Sequence, residues 1–263
     1  MTRTRLMTAL APLVVVGLLL APSWIWPRPA TSQILTPVTG NPASIAGLTL
    51  WYKANTLALN DADPIASVTD WSGAGYTGTQ GTAGYKPLYK TAIQNGLGVM
   101  RFDGSDDALG FSSLSLGTAH TIFAVLNMAG GLSTSSVAVW FGGATNYYSH
   151  YKDDSDKWVY SVPNGTGTPA TVLSNADAYS AAFRIVATVR NGTAVAWYKN
   201  GAALGSGTLA ANTAQALTTI GYGGTPKPNA DLAEVLVYNV ALSTANQKRV
   251  ERYLCQKYQI TCS

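Results

Sequence analysis

The chain has 263 residues, enough for one large domain or two small ones. Only 11% of them are charged, while 26 are glycine, 14 tyrosine and 7 tryptophan, a balance that suits short strands joined by tight uncharged loops and excludes an array of long solvated helices. The formal charge of +4 carries little weight, and no basic patch interleaved with aromatics occurs, which argues against nucleic acid as a partner.

In chain order, Arg3 and Arg5 precede an apolar run over residues 6–25, broken by Pro12 and Pro22 and followed by WPRPATSQ. This pattern predicts a secretory signal peptide over residues 1–30, cut after Ala30. A run of this length is also compatible with an uncleaved membrane anchor. Either way the rest of the chain is exported, to a secreted, periplasmic or cell-surface location. No Cys lies near the exit, which excludes lipid attachment there. Residues 31–44, with Pro and Thr, read as a linker, and residues 45–263 as one domain.

Short apolar or alternating runs, separated by Gly, Asn, Asp and Pro, predict strands at 48–52, 99–102, 108–111, 121–128, 137–141, 158–162, 183–189, 194–199, 217–221 and 233–238. Such spacing points to an all-β sandwich. Asn191-Gly192 and Asn200-Gly201 supply residues that tolerate positive φ in two-residue hairpin turns. Asn164-Gly165-Thr166 and Asn191-Gly192-Thr193 also match glycosylation sequons, for which a turn is the simpler reading. One helix is predicted from Ser243, its N-cap, with Ala245, Val250, Leu254 and Tyr258 along one face. The only cysteines, Cys255 and Cys262, are close together near the C-terminus, and in an exported chain they predict a disulfide bond clipping the tail to that helix.

The segments LTLWYKAN, VTDWSGAGYTGTQ, NGLGVMRFDGSDDAL, HTIFAVLNM, RNGTAVAWYKNG and DLAEVLVYNVALSTANQKRVERYLCQKY follow one another in this order. Together they resemble bacterial laminin-G-like domains of the concanavalin A-like lectin/glucanase superfamily, over about residues 45–260. The resemblance implies a jelly-roll sandwich of two antiparallel sheets with one C-terminal α-helix. It also implies an extracellular binding module for sugars or proteins, in some members with a calcium ion at the rim. Fold similarity does not fix the ligand, which must be argued from side chains.

β-Glucan-cutting members of the superfamily are similar in carrying two Glu with an Asp between them on one strand. Retaining hydrolysis needs two carboxyls about 5 Å apart. This chain holds only Glu234 and Glu251, in different elements. No nucleophile elbow or Ser, His and Asp set in register is present, His120 reads as a strand-edge residue, and no catalytic residue is assigned. Trp71 reads as packing beneath the almost uncharged loop 75–87, with Asp70 capping a turn. The stretch from Tyr147 to Trp158 combines flat aromatics with acids, the ingredients of carbohydrate recognition. Tyr147, Tyr148, His150, Tyr151 and Trp158 are therefore candidate sugar-binding residues, the alternative being that the aromatics fill the core. Calcium needs six to eight oxygens, several from carboxylates on neighbouring loops. Asp106 and Asp107, with Asp153, Asp154 and Asp156, are the candidate ligands, while Asp103 and Gly104 shape the turn before them. The expected function is thus noncatalytic binding of a glycan or a cell-surface protein. The alternatives are a structural surface or envelope component that assembles with other chains and, third, a glycoside hydrolase.

Overall fold

The computed structural model describes residues 40–128, 141–142, 148–152, 155–164, 170–177, 181–221 and 229–263. The predicted export segment and most of the predicted linker lie outside the described residues. Residues 41–44, assigned above to the linker, belong to the fold. Pro42–Ser44 forms a single 3-10 turn capped by the Asn41 side chain, the Pro42 carbonyl accepts from Tyr238 Oη at 3.2 Å, and Ser44 Oγ accepts from Arg249 Nη2 at 3.0 Å.

In chain order the strands are β1 (Leu48–Lys53), β2 (Ser67–Val68), β3 (Gly78–Thr79), β4 (Leu88–Gln94), β5 (Leu97–Asp103), β6 (Ala108–Gly117), β7 (Ala119–Met128) and β8 (Phe141–Gly142). They continue with β9 (Tyr148–Lys152), β10 (Lys157–Val162), β11 (Ala170–Ala176), β12 (Arg184–Asn191), β13 (Ala194–Lys199), β14 (Ala202–Thr208), β15 (Gln215–Gly221) and β16 (Asn229–Tyr238), before helix α1 (Thr244–Tyr258). All pair antiparallel into two sheets. One runs β14-β13-β12-β7-β16-β5-β4, with β1 added along the C-terminal half of β16; the other runs β11-β10-β9-β8-β15-β6-β3-β2. This is the jelly-roll sandwich with one terminal helix that the sequence predicts.

Turn chemistry sets the hairpins. Asn200 and Gly201 join β13 to β14 with φ of 49° and 82°, as a two-residue turn with both φ values positive requires. The β12–β13 turn falls one residue later than predicted, because Asn191 still pairs with Ala194 and leaves Gly192 and Thr193 as the loop.

The central strands of the first sheet, β7, β12 and β16, are buried on both faces. Against the second sheet the first packs Tyr52, Met100, Phe102, Val235 and Val237 around Trp158, Tyr160 and Ile220. Against α1 it packs Trp51, Phe123, Leu236 and Tyr238 around Val250, Leu254 and Tyr258. Hence every residue of β16 except its first is buried, the near-continuous apolar run expected of a strand covered on both sides. Along β16 the register shifts between Leu232 and Glu234. With Ala233 as the extra residue, strand parity reverses, and Glu234 faces α1 instead of the sandwich interior.

Ser243 caps α1 as predicted, its Oγ accepting from Asn246 N at 3.4 Å. Ala245 is exposed, contrary to expectation, because the face that meets the sheet runs through Gln247, Val250, Glu251, Leu254 and Tyr258. Past the helix, Cys255 and Cys262 are joined in the predicted disulfide, with Cα atoms 6.2 Å apart.

Candidate ligand-binding sites

The turn between β5 and β6 gathers three acids. Gly104 takes φ of 81°, and Asp103 Oδ1 accepts from Ser105 N at 2.7 Å, which closes the turn. Asp107 Oδ2 in turn accepts from Asp103 N at 2.8 Å. One carboxylate oxygen from each of Asp103, Asp106 and Asp107 lies within 4.8 Å of the others. Burial, with the charges of Asp103 and Asp106 adding to it against the Asp103 N–H bond, pushes the Asp107 carboxyl up to about 6. A cation would relieve that crowding, and carboxylate oxygen is the donor that calcium takes. Asp103, Asp106 and Asp107 are the residues that would hold it. The turn is fixed from below by Gly221, where a methyl group would stand 2.6 Å from Asp107 O and 2.7 Å from the Phe102 ring.

Of the other candidate metal ligands, Asp153 and Asp154 lie outside the described residues. Asp156 sits in the turn before β10 with φ of 62°, and its carbonyl accepts from Asp177 N at 2.7 Å. The acid grouped with Asp106 and Asp107 is Asp103, so the residue read as a turn former also belongs to the cluster.

Of the candidate sugar-binding residues, Tyr147 lies outside the described residues, and so do the side chains of Tyr148, His150 and Tyr151, whose backbone forms β9. Trp158 is fully buried. As the second residue of β10 it is in phase with Tyr160 and Val162, all three facing the core. Its indole N–H donates to Asp177 Oδ2 at 2.9 Å, which also accepts from Arg184 at 2.9 Å, while Asp177 Oδ1 accepts from Lys199 at 2.5 Å. Burial opposes ionisation of Asp177, but Lys199, Trp158 and Arg184 outweigh it and hold the carboxyl below its usual range. Trp158 is therefore a core residue, corrected from a candidate binding surface.

His120 is buried too, its Nε2 2.8 Å from Tyr160 Oη, which donates to Gln215 Oε1 at 2.9 Å and accepts from Arg190 at 3.3 Å. Burial, with Arg190 close by, pushes the imidazole down to about 3, so it is neutral and sealed from solvent. Neither glutamate is free. Glu234 accepts from Trp51 Nε1, Tyr253 Oη, Lys257 Nζ and Tyr258 Oη at 2.5, 3.0, 2.6 and 2.8 Å. Glu251 is buried, accepts from Gln247 at 3.0 Å and lies 3.5 Å from Lys248.

The turn cap expected of Asp70 is present beside β1, and it reaches beyond its own turn. The Asp70 carboxylate turns inward and accepts from Trp51 N, Ser72 N, Ser72 Oγ and Tyr76 N at 2.8–3.0 Å. With Asp70 held inside, Trp71 turns outward and is 48% exposed instead of packing beneath the loop. Its backbone N–H donates to Trp51 O at 2.8 Å and its indole N–H to Thr56 Oγ1 at 3.1 Å. Lys53 Nζ stands 3.8 Å from the Trp71 ring centroid and 4.2 Å from that of Trp51.

The sequence pattern of the laminin-G-like family, described as the concanavalin A-like lectin/glucanase superfamily, matches residues 103–246, starting at the first acid of the β5–β6 turn. The chain belongs to this superfamily. No curated protein matches this lectin/glucanase-like domain in sequence. Among solved structures it is similar to the binding domain of botulinum neurotoxin DC in complex with rat synaptotagmin II, with a TM-score of 0.60 and 10% identity over 83% of this chain and 53% of that one. It is also similar to the binding domain of Paraclostridial Mosquitocidal Protein 1, with a TM-score of 0.54 and 12% identity over 80% and 52%. A third likeness is to Trypanosoma rangeli sialidase in complex with sialic acid, with a TM-score of 0.52 and 11% identity over 82% and 34%. The lectin/glucanase-like domain thus spans about half the length of the toxin domains and a third of the sialidase, and at these identities the likeness is one of fold.

Proposed function

We propose that this chain is an exported, noncatalytic recognition domain that binds a glycan or a glycan-bearing cell-surface protein, with a calcium ion seated on Asp103, Asp106 and Asp107. The observation that carries the reading is the convergence of these three carboxylates on one turn of a concanavalin A-like sandwich. They belong to a single five-residue turn and not to opposite walls of a cleft, an arrangement suited to gripping a cation and unlike the facing acids of glycoside hydrolysis. The engagement of Glu234 by four donors supports a noncatalytic role. The Cys255–Cys262 disulfide supports export. Similar domains have been solved as the binding domain of botulinum neurotoxin DC in complex with SialylT and with synaptotagmin II, which favours a saccharide or surface-protein partner here.

A glycan array probed with and without calcium, paired with thermal melting in calcium or chelator, tests the reading. Calcium is expected to raise the melting midpoint of the natural chain and to leave that of an Asp106→Asn, Asp107→Asn variant unmoved. If no glycan is retained in either condition, glycan recognition is the wrong reading.

A further inference from the structure

We propose that the exposed part of Trp71, with the Lys53 ammonium lying over the indole ring, is a seat for a pyranose that carries an anionic substituent. The inference rests on the glycan-binding reading above and assigns it a place distinct from the acidic turn.

Trp71 is the most exposed large apolar side chain among the described residues, and it is held in place. The backbone bond to Trp51, the indole bond to Thr56 and the four bonds collected by Asp70 fix the turn that carries it. A fixed indole offers a flat apolar platform without the entropy cost of ordering a loose side chain, and the apolar face of a sugar ring stacks on such a platform. The charge beside it selects the substituent. Lys53 has no hydrogen-bond acceptor or ion-pair partner among the described residues and rests only on the faces of two indoles. The nearby carboxylate of Glu234 is occupied by Trp51, Tyr253, Lys257 and Tyr258. Burial and the neighbouring charge of Lys257, only partly offset by Glu234, lower the Lys53 pKa, so its ammonium is short of a counter-charge. A carboxylate or sulfate on a sugar packed against Trp71, reaching round the indole edge to the ammonium over the ring, would accept its N–H bonds and relieve the repulsion from Lys257. Gly73 and Gly75, in the same turn, face open space and leave room for a ring.

The test is calorimetric titration of the full chain with oligosaccharides of alginate, hyaluronan and heparin, and with neutral dextran and laminarin oligosaccharides. At least one anionic series is expected to bind in preference to the neutral ones, more weakly as salt rises. Trp71→Ala and Lys53→Gln should each weaken that binding about tenfold or more, and Lys53→Arg should restore part of it. Because Trp71 is half exposed, its variant should still unfold in one cooperative transition well above the titration temperature, which separates a lost contact from a lost fold. Binding that persists undiminished in Trp71→Ala, or equal affinity for neutral and anionic series, overturns this inference and leaves the glycan-binding reading standing. Absence of binding to every saccharide overturns both.

Discussion

The indole N–H of Trp51 on β1 donates to Glu234 Oε1 on β16 at 2.5 Å, across a strand pair of the first sheet beneath α1. Tyr253, Lys257 and Tyr258 of α1 complete the set of donors, so one carboxylate ties an N-terminal strand, a C-terminal strand and the helix together. Replacing Glu234 with Ala would remove the acceptor that four donors share, leaving Lys257 only Tyr253 Oη and Tyr258 only the Ala233 carbonyl, each at 3.3 Å. The expected cost is about 3–5 kcal/mol, read as a lower urea midpoint with the transition still cooperative. A loss below 1 kcal/mol (about the scale of an exposed pair) would show that the network contributes little.

Acid should destabilise the fold through His120. Its folded pKa is near 3 and its ordinary value is 6.5, so between these pH values the unfolded chain holds the extra proton. Stability contributed by neutral His120 is complete above 6.5 and falls as pH drops below it, by about 1.4 kcal/mol per pH unit. Asp107, whose folded pKa of about 6 lies above its ordinary 3.8, acts in the opposite sense between those values. Unfolding free energies measured against pH in an Asp107→Asn background should therefore display the His120 slope. The same slope after His120→Gln would assign it to another group.

Gly221→Ala should disturb the acidic turn from outside it. The added methyl meets the Asp107 carbonyl and the Phe102 ring, at a φ of 95° that L side chains rarely adopt. A drop in stability of about 2–3 kcal/mol is expected, together with a smaller calcium-induced shift of the melting midpoint. An unchanged calcium response would mean that the turn keeps its geometry without support from β15.

Reduction should loosen the tail but spare the sandwich. The Cys255–Cys262 bridge closes a loop with a sequence separation of 7, for which the chain-entropy estimate is about 2.5 kcal/mol. Melting with and without reductant should differ by about that amount, and a Cys255→Ser, Cys262→Ser variant should match the reduced protein. A variant that fails to fold at all would give the bridge a larger role than this loop length allows.

Much of the fold was legible because its signals are local. The Ser243 cap, the Asn200-Gly201 turn and the alternating strands each announce themselves within a few residues. Asn95-Gly96 carries the same turn signal, with φ of 50° and 71° between β4 and β5. The site was harder to read because its placement depends on parity and partners far along the chain. Trp158 shares its parity with Tyr160 and Val162, which marks it as inward once β10 is taken to start at Lys157. Glu234 could not be placed by alternation, since the register shift at Ala233 turns it toward α1. Trp71 turned outward for a reason no window around it reveals: Asp70 collects a bond from Trp51, nineteen residues earlier.

The position of β16 bears on how the molecule comes to be closed. This strand lies between β7 and β5 and also carries β1, with Leu48 meeting Tyr238. Until residues 229–238 have been made, the β4–β5 hairpin and the β7-β12-β13-β14 group have no strand between them, and each shows an open hydrogen-bonding edge. Joining the two ends of the chain in one sheet is a contact of high sequence separation, so assembly should be slow, on the scale of milliseconds to seconds. β16 is the keystone of the sheet, and a ribosome that stalls before residues 229–238 leaves two half-sheets with edges ready to pair with a neighbouring chain.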